Sequence, residues 1–209
     1  MQFNITVLAK SDKHNGYCVA ALTQTGKLIR LVRDAEGHAL TKEQCQFQKG
    51  DMITVNVEPA PLKWQKENYI LTEVLSSKKS LTSLNYLSKY TQNTKSIFSN
   101  TNPWLSSDEM AKNAGSLLLV AVDDLTIYKN DEDKYKANFT YNGQSYEGFS
   151  VTDPDFKKRK RKMAKAFILV SLPNSPYGKY GQDLFYKYIC AVYPIDNLIK
   201  TRNIDAVGF

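Results

Sequence analysis

The sequence predicts a mainly β protein, built as two small antiparallel β-barrels in tandem with short connecting helices. Three observations predict it. Apolar residues in the first third alternate with polar ones or form short β-branched runs, the pattern of half-buried strands. Polar and Gly-bearing turn signals separate those runs at strand-length intervals. After a polar stretch, the second half repeats the same pattern.

"FNITVLA", "YCVAALTQ", "KLIRLVR" and "MITVNVE" are the first four predicted strands. The first two are separated by "KSDKHNG", which ends in Asn15-Gly16, and the next two by "QTG", a short hairpin loop. "YILTEVL" follows "EPAPLKWQKEN" as a fifth strand, which places a first barrel in residues 1–76. Residues 77–115 are rich in Ser, Asn, Thr and Lys and form the predicted connector, with "SLTSLNYLSKY" as a short amphipathic helix and "SNTNPW" as a break. Strands resume with "SLLLVAVDDLTIYK", "KYKANFTY" and "QSYEGFSV", and Tyr141-Asn142-Gly143-Gln144 is the strongest hairpin signal in the chain.

"VTDPDFKKRKRKMAKAF" comes next. Pro154 suits the first position of a helix, with Asp153 as its N-cap and Asp155 in its first turn. Phe156, Met163 and Phe167 then fall on one helical face and the cations on the others, so the stretch predicts a basic amphipathic helix. "AFILVSL", a loop "PNSPYGKYGQD" and a last strand "LFYKYICAVYPI" complete a second barrel in residues 116–209.

Composition bounds the function. The chain has 209 residues, 42% hydrophobic and 23% charged, which is ordinary globular composition. Lys plus Arg number 28 against 21 Asp plus Glu, and the run 157–165 alone supplies seven of the cations. The pI of about 9.1 is therefore a local property, and attraction for a polyanion is focused near that run. Three separated cysteines and the absence of a leader-like start predict a reduced, cytoplasmic protein, and the apolar runs are too short for a membrane helix. With two histidines, no Walker loop, no dinucleotide fingerprint and no H-E-x-x-H, no catalytic residue, metal site or cofactor is assigned.

Several polar positions are candidates for ligand contacts. Ser11, Lys13 and His14 fall between the first two strands, but Ser-x-Lys is not the spacing that one helical turn aligns for nucleophilic chemistry. Gln65, Glu67 and Asn68 follow Trp64 in a loop, where they either read a ligand or tie the loop to backbone. Lys157, Lys158, Arg161, Lys162 and Lys165 are the expected phosphate contacts. Thirteen Tyr and nine Phe are many for this length, and several interleave with Lys in "NYLSKY", "YKANFTY", "PYGKYGQ" and "LFYKY". Aromatic and cationic side chains alternating on an exposed face make a stacking platform for single-stranded bases.

"SDKHNGYCVA" followed by "GKLIRLV", then "QKEN", "YNGQSYEGFSVTDP", and "VSLP" followed by "YKYICAV" resemble, in this order and spacing, the prokaryotic dual OB-containing domain family. The resemblance spans nearly the whole chain. It implies two OB-like barrels and a nucleic-acid or nucleotide ligand. The family-like polar residues are Ser11, Lys13, Gly16, Cys18, Arg30, Gln65, Glu67, Asn68, Thr152, Asp153, Ser171 and Lys187. Leu31 stands where the family has Pro, and the Lys/Arg run is not a family feature.

Together these readings predict a non-catalytic module that binds nucleic acid, single-stranded by preference, or a nucleotide. It would use an inter-barrel polar cleft lined by Lys13, Arg30, Glu67, Asn68 and Asp153, together with the basic helix. The alternatives are a metal-dependent nuclease or phosphohydrolase using Glu67, Asp153 and Asp155, and a protein-interaction adaptor. No membrane contact is expected, and the sequence does not indicate an oligomeric state.

Overall fold

A computed structural model describes residues 1–13, 16–79, 84–158, 160–179 and 182–195. Asn15 of the first predicted hairpin, His14 and Arg159 lie outside the described residues.

The first barrel contains β1 (Gln2–Lys13), β2 (Gly16–Thr23), β3 (Leu28–Val32), β5 (Met52–Pro59) and β6 (Asn68–Lys78), with the two-residue β4 (Leu40–Thr41) added to β2. The strands run β1-β5-β6-β3-β2, and pairing of β1 with β2 closes the ring. All neighbours are antiparallel except β3 and β6, which are parallel over Arg30–Val32 and Asn68–Ile70.

A connector holds α1 (Leu84–Ser88), a turn at Ile97–Ser99, β7 (Trp104–Ser106) and α2 (Ser107–Ala111). Ser106 and Glu109 cap α2 reciprocally, which is what allows so short a helix to start cleanly.

The second barrel closes in the order β10-β14-β11-β8-β9, from β8 (Leu117–Lys129), β9 (Tyr135–Tyr141), β10 (Gln144–Val151), β11 (Arg161–Ser171) and β14 (Tyr188–Pro194). Its third and fifth strands, β10 and β14, again form the one parallel pair. Both barrels therefore share one connectivity, in which the first strand pairs with the second and fourth, and the fifth closes onto the third. The β9–β10 turn has Asn142 and Gly143 at φ 50 and 73, the left-handed pair that a two-residue hairpin requires.

Two predicted elements are corrected here. The stretch after Asp153 is not a helix. Its first residues make one turn at 154–158, and from Arg161 the chain is β11, registered with β8 from Arg161↔Ile127 to Ser171↔Leu117. Met163 faces the interior of the second barrel, whereas Phe167 packs into a separate apolar cluster between the barrels. Sheet pairing with β8 along the full length of β11 outweighs the helical spacing of three apolar residues.

The last predicted strand is also two strands. β13 (Gln182–Tyr186) joins β12 (Tyr177–Lys179) and β7 in a small sheet, and the chain switches at Lys187 into β14 of the barrel. The predicted loop "PNSPYGKYGQD" thus carries β12 and the start of β13, which pair antiparallel.

Apolar burial fastens the barrels to each other. Leu8, Ala9, Ala20 and Leu22 of the first pack with Leu117, Leu119, Phe167, Leu169, Cys190 and Ala191 of the second, and Leu87 of α1 joins them. The register shifts between Val7 and Ala9 on β1, and again where β14 passes Cys190, so each bulge turns a side chain out of its own barrel and into this cluster. Leu8, Leu22, Leu119 and Leu169 are fully buried, each worth about 1.5–3 kcal/mol of transfer free energy. Cys45 and Cys190 are free, and burial pushes their thiols up to about 11 and about 12, so both behave as packing groups.

Candidate nucleic-acid interface

Part of the expected polar set meets between the barrels, as an interlocked seam. Arg30, on β3, donates through Nη2 to Ser116 Oγ (2.9 Å), Ser171 Oγ (3.3 Å) and the Leu172 carbonyl (3.4 Å). Glu67 accepts from the Ser116 backbone N–H (3.2 Å) and hydroxyl, and its carboxylate lies 3.8 Å from Arg30. Gln65 donates to the Leu172 carbonyl (3.0 Å) and accepts from Asn68 Nδ2 (3.3 Å). Arg30, Gln65, Glu67, Asn68 and Ser171 are all buried. Of the five residues expected to line one cleft, Arg30, Glu67 and Asn68 meet here, while Lys13 and Asp153 lie elsewhere; the three that meet are engaged by one another, by Gln65 and by Ser116, Ser171 and Leu172 of the second barrel.

Asp153 is also buried and belongs to a second inter-barrel bolt. Lys49 of the first barrel reaches Asp153 Oδ2 (2.7 Å) and Asp155 Oδ2 (3.3 Å). Asp153 further accepts from the Val192 N–H (2.7 Å) and the Asp155 N–H (3.0 Å), and its carbonyl accepts from the Phe156 and Lys157 N–H groups. This is the N-cap geometry expected from Asp-Pro-Asp, confined to a single turn. Thr152 bonds to the Ile189 carbonyl through its N–H (2.9 Å).

Ser11 and Lys13 lie on β1 itself, which continues through the stretch that resembled a loop. Ser11 is buried opposite Cys18, and Lys13 is exposed at the strand end. There Lys13 lines a cavity of about 260 Å³ with Arg33, Glu36, His38 and Asn174. Asp34, Glu36 and His38 are the described group of three whose ligand atoms converge, within 4.8 Å of one another. Burial works to raise the Asp34 carboxyl, but hydrogen bonds from His38 and Arg33 prevail and hold it down to about 2. Glu67 and Asp153, which the metal-dependent nuclease alternative uses, are partnered in the seam and in the bolt.

The basic run is largely solvent-facing. Lys157 pairs with Asp12 across the barrels (2.6 Å), and Lys165 lies 3.8 Å from Asp123. Lys158, Lys160, Arg161 and Lys162 are exposed.

The aromatic residues separate sharply. Phe139, Tyr141, Tyr146 and Phe149 fill the second barrel, and Tyr86 and Tyr90 pack on the inter-barrel cluster. The sheet β12-β13-β7 is different. Phe185 and Leu105 point inward and are fully buried, while their neighbours along the strands point out. On that outer face Trp104 is paired in register with Tyr186, and Tyr177 with Leu184. The Tyr186 ring lies 6.4 Å from Trp104 and 6.2 Å from Tyr177, both edge to face. Trp104 is 38% and Tyr177 61% exposed, high for such large rings.

Lys134, in the turn after β8, donates to Glu132 (2.8 Å), and this ion pair raises its pKa, with a smaller contribution from Tyr177 and Tyr186 of this face. Arg161 is registered with Ile127 near the end of the same β8, so the cationic edge leads toward that turn.

Lys187 was expected to contact ligand. It is fully buried, and its ammonium donates to the Ile97 carbonyl (2.7 Å), the Asn100 carbonyl (2.8 Å) and Asn100 Oδ1 (2.7 Å). Burial lowers its pKa to about 7 against a smaller opposing pull from Glu109. Phe98 and Ser99, between its acceptors, sit at φ 51 and 76, a left-handed pair costing of order 1–3 kcal/mol per residue.

Sequence reasoning missed Trp104, which looked like part of a break, and Lys49. The signal for Tyr177 and Tyr186 was present in "PYGKYGQ" and "LFYKY"; which of those aromatics face outward depends on a small sheet whose third strand lies some seventy residues earlier in the connector.

Residues 3–192 match the family model described as the dual OB-containing domain. No curated protein and no solved structure matches the chain.

Proposed function

The chain belongs to the dual OB-containing domain family, and from that premise we propose that it is a single-strand nucleic-acid-binding module whose bases stack on Trp104, Tyr186 and Tyr177. The observation that carries this reading is the exposed aromatic face of the β12-β13-β7 sheet. OB barrels take ligands beside their second and third strands, between the first–second and fourth–fifth loops. In the second barrel β12 and β13 form the fourth–fifth loop, and Lys134 ends the first–second loop. Lys134 and the exposed cations of 158–165 supply sequence-independent attraction for phosphates, while the aromatic faces accept any base. The seam residues Arg30, Gln65, Glu67, Asn68 and Ser171 hold the two barrels in one orientation and do not touch the strand.

The experiment is a titration of labelled dT and rU oligonucleotides at low salt, with and without magnesium or manganese. Saturable binding of intact oligonucleotide supports the reading. Metal-dependent cleavage moves the protein to the nuclease class, and absence of binding at low salt leaves the adaptor reading.

A further inference from the structure

We infer that Lys187 is a positioning residue that assembles the aromatic face, by fastening the connector to the second barrel at the point where the chain passes from β13 to β14. The role in binding rests on the function proposed above. The role in assembly does not.

Three observations converge on it. First, Tyr186 and Tyr188 flank Lys187 in the chain, and Tyr186 pairs with Trp104 while Tyr188 pairs with Ser150 and Ser171 in the barrel. Lys187 is therefore the hinge between the small sheet and the barrel. Its own N–H donates to the Pro103 carbonyl (2.9 Å), immediately before Trp104.

Second, all three ammonium donors are used, and all on the turn Ile97–Asn100 of the connector. The ammonium also stands 5.6 Å from the Phe149 ring in the barrel core. An unpaired cation would not be buried here unless those oxygens replaced its hydration.

Third, Asn100 passes the contact on. Its Nδ2 donates to the Trp104 carbonyl (3.2 Å) and to Glu109 Oε1 (2.8 Å), and Glu109 Oε2 accepts from the Ser106 N–H (2.9 Å). The turn, β7 and the start of α2 are thus one hydrogen-bonded unit around the buried amino group of Lys187. The left-handed Phe98 and Ser99 give that turn its shape at a conformational cost that the hydrogen bonds from Lys187 Nζ offset.

The test uses the full chain carrying Trp64→Phe, so that Trp104 is the sole tryptophan fluorophore. Lys187→Met keeps the length and apolar stem but removes the charge. We expect amide exchange in 97–106 to accelerate by about tenfold or more while exchange in β8 and β11 is unchanged. Acrylamide quenching of Trp104 should rise about twofold as the ring leaves Tyr186. Affinity for a dT oligonucleotide should fall to that of Trp104→Ala.

If Lys187→Met does not fold, Asn100→Ala tests the same unit from the connector side, with the same exchange and quenching expected. Unchanged exchange in 97–106 and unchanged quenching in the folded variant overturn the inference. Changed exchange and quenching with unchanged oligonucleotide affinity uphold the assembly role and count against the aromatic face as the binding site.

Discussion

Replacing Arg30 by Met tests whether the polar residues between the barrels are structural. The substitution removes a buried guanidinium that bonds to Ser116, Ser171 and the Leu172 carbonyl, and leaves the buried Glu67 carboxylate with Ser116 alone. Breaking one side of a buried pair costs about 3–5 kcal/mol, because the surviving charge stays desolvated. Glu67→Gln keeps an acceptor for Ser116 and should cost less, about 1–3 kcal/mol. The double variant has no uncompensated charge, so its cost should fall short of the summed single costs by at least about 1.5 kcal/mol. Urea unfolding at fixed m-value reads all four proteins, with oligonucleotide affinity measured in parallel. A loss below about 1 kcal/mol for Arg30→Met, or strict additivity, would refute the seam. Reduced affinity at unchanged stability would make Arg30 a ligand contact.

Lys187 gives stability a pH signature. Its folded pKa of about 7 lies below the ordinary 10.5, so between those values the unfolded chain holds a proton that the folded one has lost. Unfolding free energy from this group should therefore rise with pH across that window, by up to about 1.4 kcal/mol per unit, and Lys187→Met should remove that part of the slope. Gly16→Ala should disrupt the join of β2 to β4, since the new Cβ would overlap the Leu40 carbonyl oxygen, whereas Gly143→Ala meets open space and should cost only about 1 kcal/mol of left-handed strain by thermal or urea unfolding. On the cationic edge, Lys158, Lys160, Arg161, Lys162 and Lys165 are exposed. Five phosphate contacts give a slope of log K against log salt of about −3.5, and changing Lys158, Arg161, Lys162 and Lys165 to Gln should reduce it toward about −1.

The alternation in "FNITVLA", "MITVNVE" and "KYKANFTY" was enough to place strands and to anticipate two barrels, because one buried face per strand imposes a period of two. Arg30, Gln65, Glu67, Asn68 and Ser171 of the seam were each legible as candidates, though the group expected to share one cleft also held Lys13 and Asp153, which lie elsewhere. The role of the seam residues was not legible: Arg30 and Glu67 read as ligand contacts until Ser116 and Leu172, which lie in the other barrel, are seen to occupy them. The basic stretch misled for a physical reason. Phe156, Met163 and Phe167 do recur at helical spacing, but Phe156 lies half-buried against the second-barrel core that holds Met163 while Phe167 packs between the barrels, and β8 offers β11 a full-length pairing partner that local spacing does not reveal. Lys187 reads from the sequence as a ligand contact, a family-like residue in a Tyr/Lys tract, and only the carbonyl oxygens of a turn ninety residues earlier show why it is inside.

The most direct measurement is the affinity of a short labelled dT oligonucleotide for the wild-type chain and for Trp104→Ala, Tyr177→Ala and Tyr186→Ala at one fixed salt concentration. Each lost stacking surface should cost about 1–3 kcal/mol, roughly 5- to 150-fold in Kd, with little change in the salt slope because no phosphate contact is removed. Affinities within about twofold of wild type in all three folded variants would contradict the account.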